Sequence, residues 1–89
     1  MEKEVNSLEI RDIDGVDYAS RALAAFWRSA TKAGGQPMQP GQPEGWELDG
    51  KSYVVLHWGG EDIHVYRIQN NRQLKLMKRP PKELTAIYA

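Results

Sequence analysis

The sequence predicts an α+β domain with one N-terminal helix packed on an antiparallel β-meander of three or four strands, followed by a short C-terminal helix. Three observations predict this fold. Residues 16–32 carry an apolar stripe with helical spacing, alternating segments separated by turn signals follow residue 46, and two adjacent prolines precede the C-terminal segment. A chain of 89 residues is long enough for one domain of this kind.

The strongest helical signal covers residues 14–33. Asp14 is the predicted N-cap, because its side chain can accept a hydrogen bond from a free backbone N–H of the first turn. Gly34 is predicted to end the helix in the left-handed conformation. The apolar stripe advances in steps of three and four residues, through Val16, Ala19, Leu23, Phe26 and Ala30.

Two segments flank this helix. Residues 1–13 form an acidic arm, in which 8–13 are either an edge strand or irregular. Residues 34–45 hold three prolines and four glycines and are predicted to form a loop.

Residues 46–78 are predicted to form the meander. Asp49-Gly50 is a two-residue hairpin signal that joins a short strand to a longer one. Further turns are predicted at 59–62 and at Asn70-Asn71. Prolines 80 and 81 end the sheet, since proline cannot donate to a strand ladder, and residues 79–89 are a tail or a short helix.

The expected hairpin register decides which side chains share a face of the sheet. Closure at 59–62 is predicted to place His57 opposite His64 and Val55 opposite Tyr66, with Tyr66 then opposite Lys75. A nearly all-aliphatic face is then predicted to pack under the helix as the core, and it carries Val54, Leu56, Trp58, Ile63, Val65, Leu74 and Leu76. The other face is either covered by a terminal segment or free to bind. It carries Trp46, Tyr53, Val55, His57, His64, Tyr66, Ile68, Lys75 and Met77.

Charge is unevenly distributed although the formal net charge is +0. Residues 1–17 hold six acids and two bases, whereas residues 67–82 hold six bases and no acid. These are either two solvated faces or two regions that attract each other, within one molecule or between two.

The residues present also exclude several classes of function. Without cysteine there is no disulfide scaffold, thiolate metal site or cysteine nucleophile. The acidic N-terminus has no signal-peptide pattern, so we predict a cytoplasmic protein without membrane contact. No nucleophile stands beside an ordered base and no phosphate-binding loop precedes a helix, so neither an enzyme nor a cofactor is expected. Two histidines fall short of the usual four zinc ligands, so no metal is expected either.

The functional prediction is a small binding module. Aromatic rings with neighbouring cations suit a protein–protein contact, including one between copies of the chain. The same residues suit the stacking and phosphate contacts of nucleic-acid binding, which is the alternative. A small metal-dependent enzyme is a distant third. The predicted binding residues are Trp46, Tyr53, His57, Tyr66, Lys75, Lys78, Arg79 and Lys82.

Two partial likenesses to known families accompany these patterns. The order helix, three strands, helix is similar to the double-stranded RNA-binding domain, and Lys78, Arg79 and Lys82 lie roughly where that family has its phosphate-binding lysines. Pro80-Pro81 replace the alanine-rich segment of that family, and the last helix is shorter. Gly45-Trp46-Glu47, followed by Tyr53 and His57, resembles the opening of a WW domain, but the first turn is too short and the second tryptophan and the closing proline are missing. Neither likeness assigns the chain to a family.

Overall fold

A computed structural model describes residues 4–32, 34, 39–58 and 63–88. Its five strands form a single antiparallel sheet in which the spatial order follows the chain order. The α+β class is confirmed, with five strands rather than three or four. The predicted turn at 59–62 lies outside the described residues. The elements are β1 (Val5–Ser7), α1 (Tyr18–Lys32), β2 (Glu44–Leu48), β3 (Lys51–His57), β4 (Ile63–Ile68), β5 (Leu74–Leu76) and α2 (Lys82–Ile87).

Helix α1 begins later than predicted because a tight turn precedes it. Asp14 and Gly15 have φ angles of 53° and 81°, and Ile13 and Val16 exchange two backbone hydrogen bonds of 3.0 Å around them. The N-cap is therefore Asp17, whose Oδ1 accepts a hydrogen bond from the backbone N–H of Ser20 at 3.2 Å. The assignment of Asp14 as N-cap was wrong.

The C-terminal end of α1 agrees with the prediction. Gly34 has a φ of 80°, and its N–H donates to the carbonyl of Thr31 at 3.1 Å. This is the left-handed termination for which glycine is favoured.

The β2–β3 hairpin turns on Asp49 and Gly50, as predicted. Their φ angles of 55° and 76° are both positive, as a type I′ turn requires. In the β4–β5 turn, however, the positive φ of 67° belongs to Arg72 and not to an asparagine. Asn71 contributes through its side chain, whose Oδ1 accepts a hydrogen bond from the N–H of Gln73 at 3.1 Å.

The β3–β4 register differs from the predicted one by a single residue. Leu56 lies opposite His64 and Val54 lies opposite Tyr66. A shift of one residue moves every side chain of a strand to the other face, so the predicted faces of β4 were wrong. The β4–β5 register differs in the same way, because Tyr66 pairs with Leu76 and not with Lys75.

The sheet is consequently sandwiched between two apolar clusters. Central strand β3 contributes to both, since residues 53–56 are all buried. The cluster on the α1 side contains Ile10, Tyr18, Ala19, Ala22, Phe26, Val54, Leu56 and Tyr66. The cluster on the α2 side contains Leu48, Tyr53, Val55, Val65 and Leu84.

The N-terminal arm crosses the α1 side of the sheet close to β2. The N–H of Leu8 donates to the carbonyl of Gly45 at 3.0 Å, and the carbonyl of Ile10 accepts from the N–H of Tyr18 at 2.8 Å. Gly45 is buried beneath Ile10, and because glycine has no side chain, the arm can cross β2 at this point. The predicted loop therefore ends before Glu44, because Glu44 and Gly45 belong to β2. No helix of the described chain has the length and apolar character needed to cross a membrane.

Candidate functional site

The aromatic residues predicted to form one binding face lie on two faces of the sheet. Tyr66 is on the α1 side, in the cluster with Tyr18 and Phe26. Tyr53 is on the α2 side, in the cluster with Leu84. Only 4% of Tyr53 and 5% of Tyr66 is exposed, and burial raises the pKa of the Tyr66 phenol. Both rings are therefore core residues.

The C-terminal segment covers much of the α2 side. Leu84 is fully buried and Tyr88 packs against the same cluster, whereas Ile87 remains 42% exposed. The sequence left open whether this face is covered by a terminal segment or free to bind. In the structure the C-terminal segment covers it.

Trp46 and His57 hold that segment in place. The Tyr88 hydroxyl accepts a hydrogen bond from Trp46 Nε1 at 2.8 Å and donates one to Glu44 Oε1 at 3.0 Å. His57 Nε2 lies 3.1 Å from the same Glu44 oxygen, and the His57 and Tyr88 rings are 5.3 Å apart. Burial raises the pKa of Tyr88 to about 12.

The two histidines do not face each other, contrary to the predicted pairing. His57 lies on the α2 side, whereas His64 packs on the α1 side with its ring 4.9 Å from Trp58 and 5.8 Å from Phe26. The sheet separates the two imidazoles, so they cannot ligate one ion. Within the described ranges no three potential metal ligands come together. Glu61 and Asp62, the acidic residues between the two histidines in the sequence, lie outside these ranges.

The predicted basic residues are all exposed, and most of them lie at one edge of the sheet. Lys75 is in the edge strand β5, Lys78 and Arg79 follow it directly, and Lys82 begins α2. We call residues 74–79 the basic edge. The chain has no acidic residue from position 63 to 82. In the turn that precedes β5, Arg72 Nη2 lies 4.0 Å from Asp14 Oδ2.

Leu76 is the apolar centre of the basic edge. It is 48% exposed on the α1 side of the sheet, although the sequence predicted a core position. A surface depression of about 520 Å³ is lined by residues 75–79. A second depression, of about 480 Å³, lies between β5 and α1 and is lined by Arg21, Ala24, Ala25, Arg28, Gln73 and Leu74.

Lys75 of the basic edge belongs to an unfavourable pair of charges. Arg67 and Lys75 lie directly opposite each other on neighbouring strands, on the α2 side. Like charges in this position destabilise a sheet by a few tenths of a kcal/mol to about 1 kcal/mol. Arg67 Nε is buried and has no hydrogen-bond partner among the described residues. An anionic group brought to Lys75 would offset the repulsion between the two cations.

Two other large apolar side chains are exposed in the described part of the chain. Trp27 is 38% exposed on α1, and Ile87 is 42% exposed on α2. Both lie on helices, whose backbone hydrogen bonds are satisfied internally. Leu76 differs because it lies on an end strand of the sheet, where backbone groups are available to a partner.

Comparisons of the chain with protein-family models, with curated proteins and with solved structures find no match. On the described surface, the basic edge combines an exposed apolar side chain with a cluster of cations, and it is the candidate site.

Proposed function

We propose that the protein is a non-enzymatic binding module that contacts another protein through the basic edge. The observation that carries this proposal is the 48% exposure of Leu76 in an edge strand beside Lys75, Lys78 and Arg79. Protein interfaces commonly combine a desolvated apolar anchor with a charged rim. The basic edge offers both within six residues.

This proposal moves the contact away from the residues first expected to form it. Tyr53 and Tyr66 are core residues, and Trp46 and His57 are engaged with the C-terminal segment. A partner at those positions would have to displace α2. A partner at the basic edge needs no such rearrangement.

The charge of the basic edge supports an acidic partner. A carboxylate near Lys75 would relieve the repulsion of Lys75 from Arg67. The partner therefore contributes more than surface complementarity, because it offsets a cost present in the free protein.

Nucleic acid is a second candidate for the same surface. It is favoured by the exposure of Lys75, Lys78, Arg79 and Lys82 in a segment without acids. The stacking part of that prediction has less support, because Tyr53 and Tyr66 are buried. Apolar Leu76 is also better matched by a protein side chain than by a phosphate backbone.

Charge reversal at Lys75 tests the proposal. We expect Lys75→Glu to reduce recovery of the partner from a lysate of the producing cells by about tenfold, equivalent to ~1.4 kcal/mol of binding energy. The same change should slightly raise the free energy of unfolding, by ~0.5 kcal/mol, because the introduced carboxylate would form an opposite-charge pair with Arg67. Loss of binding without loss of stability cannot be attributed to misfolding.

Lys51→Glu is the matched control. Lys51 is an exposed lysine at the start of β3, two strands away from β5. Recovery that is equal for both variants would contradict the proposal. Recovered material that disappears after nuclease treatment would favour nucleic acid instead.

A further inference from the structure

The backbone of β5 offers hydrogen-bonding groups on its outer side. The N–H of Met77 donates to the carbonyl of Val65 at 2.8 Å, and the N–H of Gln69 donates to the carbonyl of Gln73 at 2.9 Å. In an antiparallel ladder, alternate residues direct their N–H and C=O groups toward the neighbouring strand. The backbone N–H and C=O groups of residues 73, 75 and 77 therefore point toward β4. Those of Leu74 and Leu76 point away from β4. No described strand lies on that side.

On the basis of the proposed function, we infer that the basic edge binds an extended partner segment as a sixth strand, in which acidic and apolar residues alternate. Two residues of β5 each present one donor and one acceptor to such a strand. Addition of a strand to a free sheet edge derives its affinity from these backbone bonds and its specificity from alternate side chains.

The two sides of β5 specify the alternation. On the α1 side, β5 presents Leu74 and Leu76. Leu74 lines the depression between β5 and α1 together with Ala24, Ala25, Gln73 and the cations Arg21 and Arg28, whereas Leu76 lines the depression of residues 75–79. On the α2 side, Lys75 lies opposite Arg67. Side chains of an added strand point alternately to these two sides. Those on the α1 side meet the side chains of Leu74 and Leu76, and those on the α2 side meet Lys75, which lies opposite Arg67.

This chemistry distinguishes the acidic segment from other occupants. An uncharged strand would leave the repulsion between Arg67 and Lys75 unrelieved. Pairing of β5 with the β5 of a second copy would bring two Lys75 side chains together, which adds a further like-charge contact. Nucleic acid has no peptide backbone to pair with Leu74 and Leu76, and no aliphatic side chain to cover Leu76.

The test uses a short synthetic peptide in which glutamate and valine alternate, added to the isotope-labelled full chain. We expect hydrogen exchange at the Leu74 and Leu76 amides to slow by about tenfold or more at saturation. Strand β1 is an internal control. The N–H of Leu8 donates to the carbonyl of Gly45, so the backbone N–H and C=O groups of Val5 and Ser7 point away from β2, as those of Leu74 and Leu76 point away from β4. Glu4 precedes β1 and Glu47 lies opposite Asn6, so an acidic peptide should be repelled there and the β1 amides should not respond.

Matched changes to peptide and protein complete the experiment. N-methylation of alternate peptide residues removes donors to β5, and lysine in place of glutamate reverses the charge; either change should abolish protection. Leu76→Pro removes one outward N–H and should weaken binding by about tenfold, since proline is tolerated where the N–H faces solvent. If that variant is destabilised, Lys75→Glu provides an independent loss of binding.

Absence of protection at Leu74 and Leu76, or equal binding of the N-methylated peptide, would overturn strand addition. Such a result together with a loss of partner recovery for Lys75→Glu would leave the proposed function standing and refute only this binding mode. If Lys75→Glu has no effect on recovery either, both proposals fail.

Discussion

Replacement of Gly45 by alanine should lower the free energy of unfolding by ~3 kcal/mol or more, because the site has no room for a methyl group. The added Cβ would meet the backbone carbonyl oxygen of Leu8 and Cγ2 of Ile10. Leu8 cannot withdraw without breaking its own hydrogen bond to Gly45, and Ile10 is only 3% exposed. Urea denaturation measures the loss.

Gly50→Ala is the control for this prediction. Gly50 has a φ of +76° but nothing within 4 Å of its would-be Cβ. Its replacement by alanine should lower the free energy of unfolding by only ~1 kcal/mol, the cost of holding a residue with a Cβ in the left-handed conformation. Equal losses for the two variants would mean that the arm does not cross β2 closely, and would contradict the described packing of residues 8–10.

Leu84→Ala should lower the free energy of unfolding by ~3 kcal/mol and release α2 from the sheet. Leu84 is the one fully buried residue of this helix and packs in the cluster with Tyr53, Val55 and Val65. A helix of six residues does not persist in water without such contacts. The uncovered face should then bind a hydrophobic dye such as ANS, with lower stability in urea.

Ile87→Ala provides the comparison within the same helix. Ile87 is 42% exposed, so its truncation should cost less than ~0.5 kcal/mol and leave dye binding unchanged. Identical behaviour of the two variants would show that α2 does not cover the sheet through Leu84.

Features encoded locally could be predicted from the sequence. The stripe of α1 depends only on spacing, and the turn at Asp49-Gly50 depends only on residues that accept positive φ. The same dipeptide occurs at Asp14-Gly15, with nearly the same φ angles. Had it been interpreted as a turn there too, the helix would have been placed correctly after Asp17.

The register of β4 could not be predicted because its sequence does not distinguish the two possibilities. Val65 and Tyr66 are both apolar, so either can face either cluster. The shift of one residue places Tyr66, instead of Val65, on the α1 side of the sheet. It also places His64 on the α1 side, away from His57. The predicted aromatic surface depended on that choice, and the expected pairing of His57 with His64 failed for the same reason.

The basic residues were recognisable in the sequence, but their position at an open edge was not. It depends on the complete strand order, which leaves β5 with β4 as its sole neighbour in the described sheet. The exposure of Leu76 follows from the same order. Sequence periodicity assigned it to the core, because an apolar residue on the α1 side is normally covered.

The most direct test of the basic edge as a binding surface is photo-crosslinking in the producing cells, with benzoylphenylalanine at position 76 or at position 27. Trp27 is a suitable comparison because it is an exposed aromatic residue on α1. We expect a discrete protein adduct from position 76 that disappears with Lys75→Glu, and no such adduct from position 27. Adducts from position 27 alone, or none from either position, would contradict the assignment of the basic edge as the protein-binding surface.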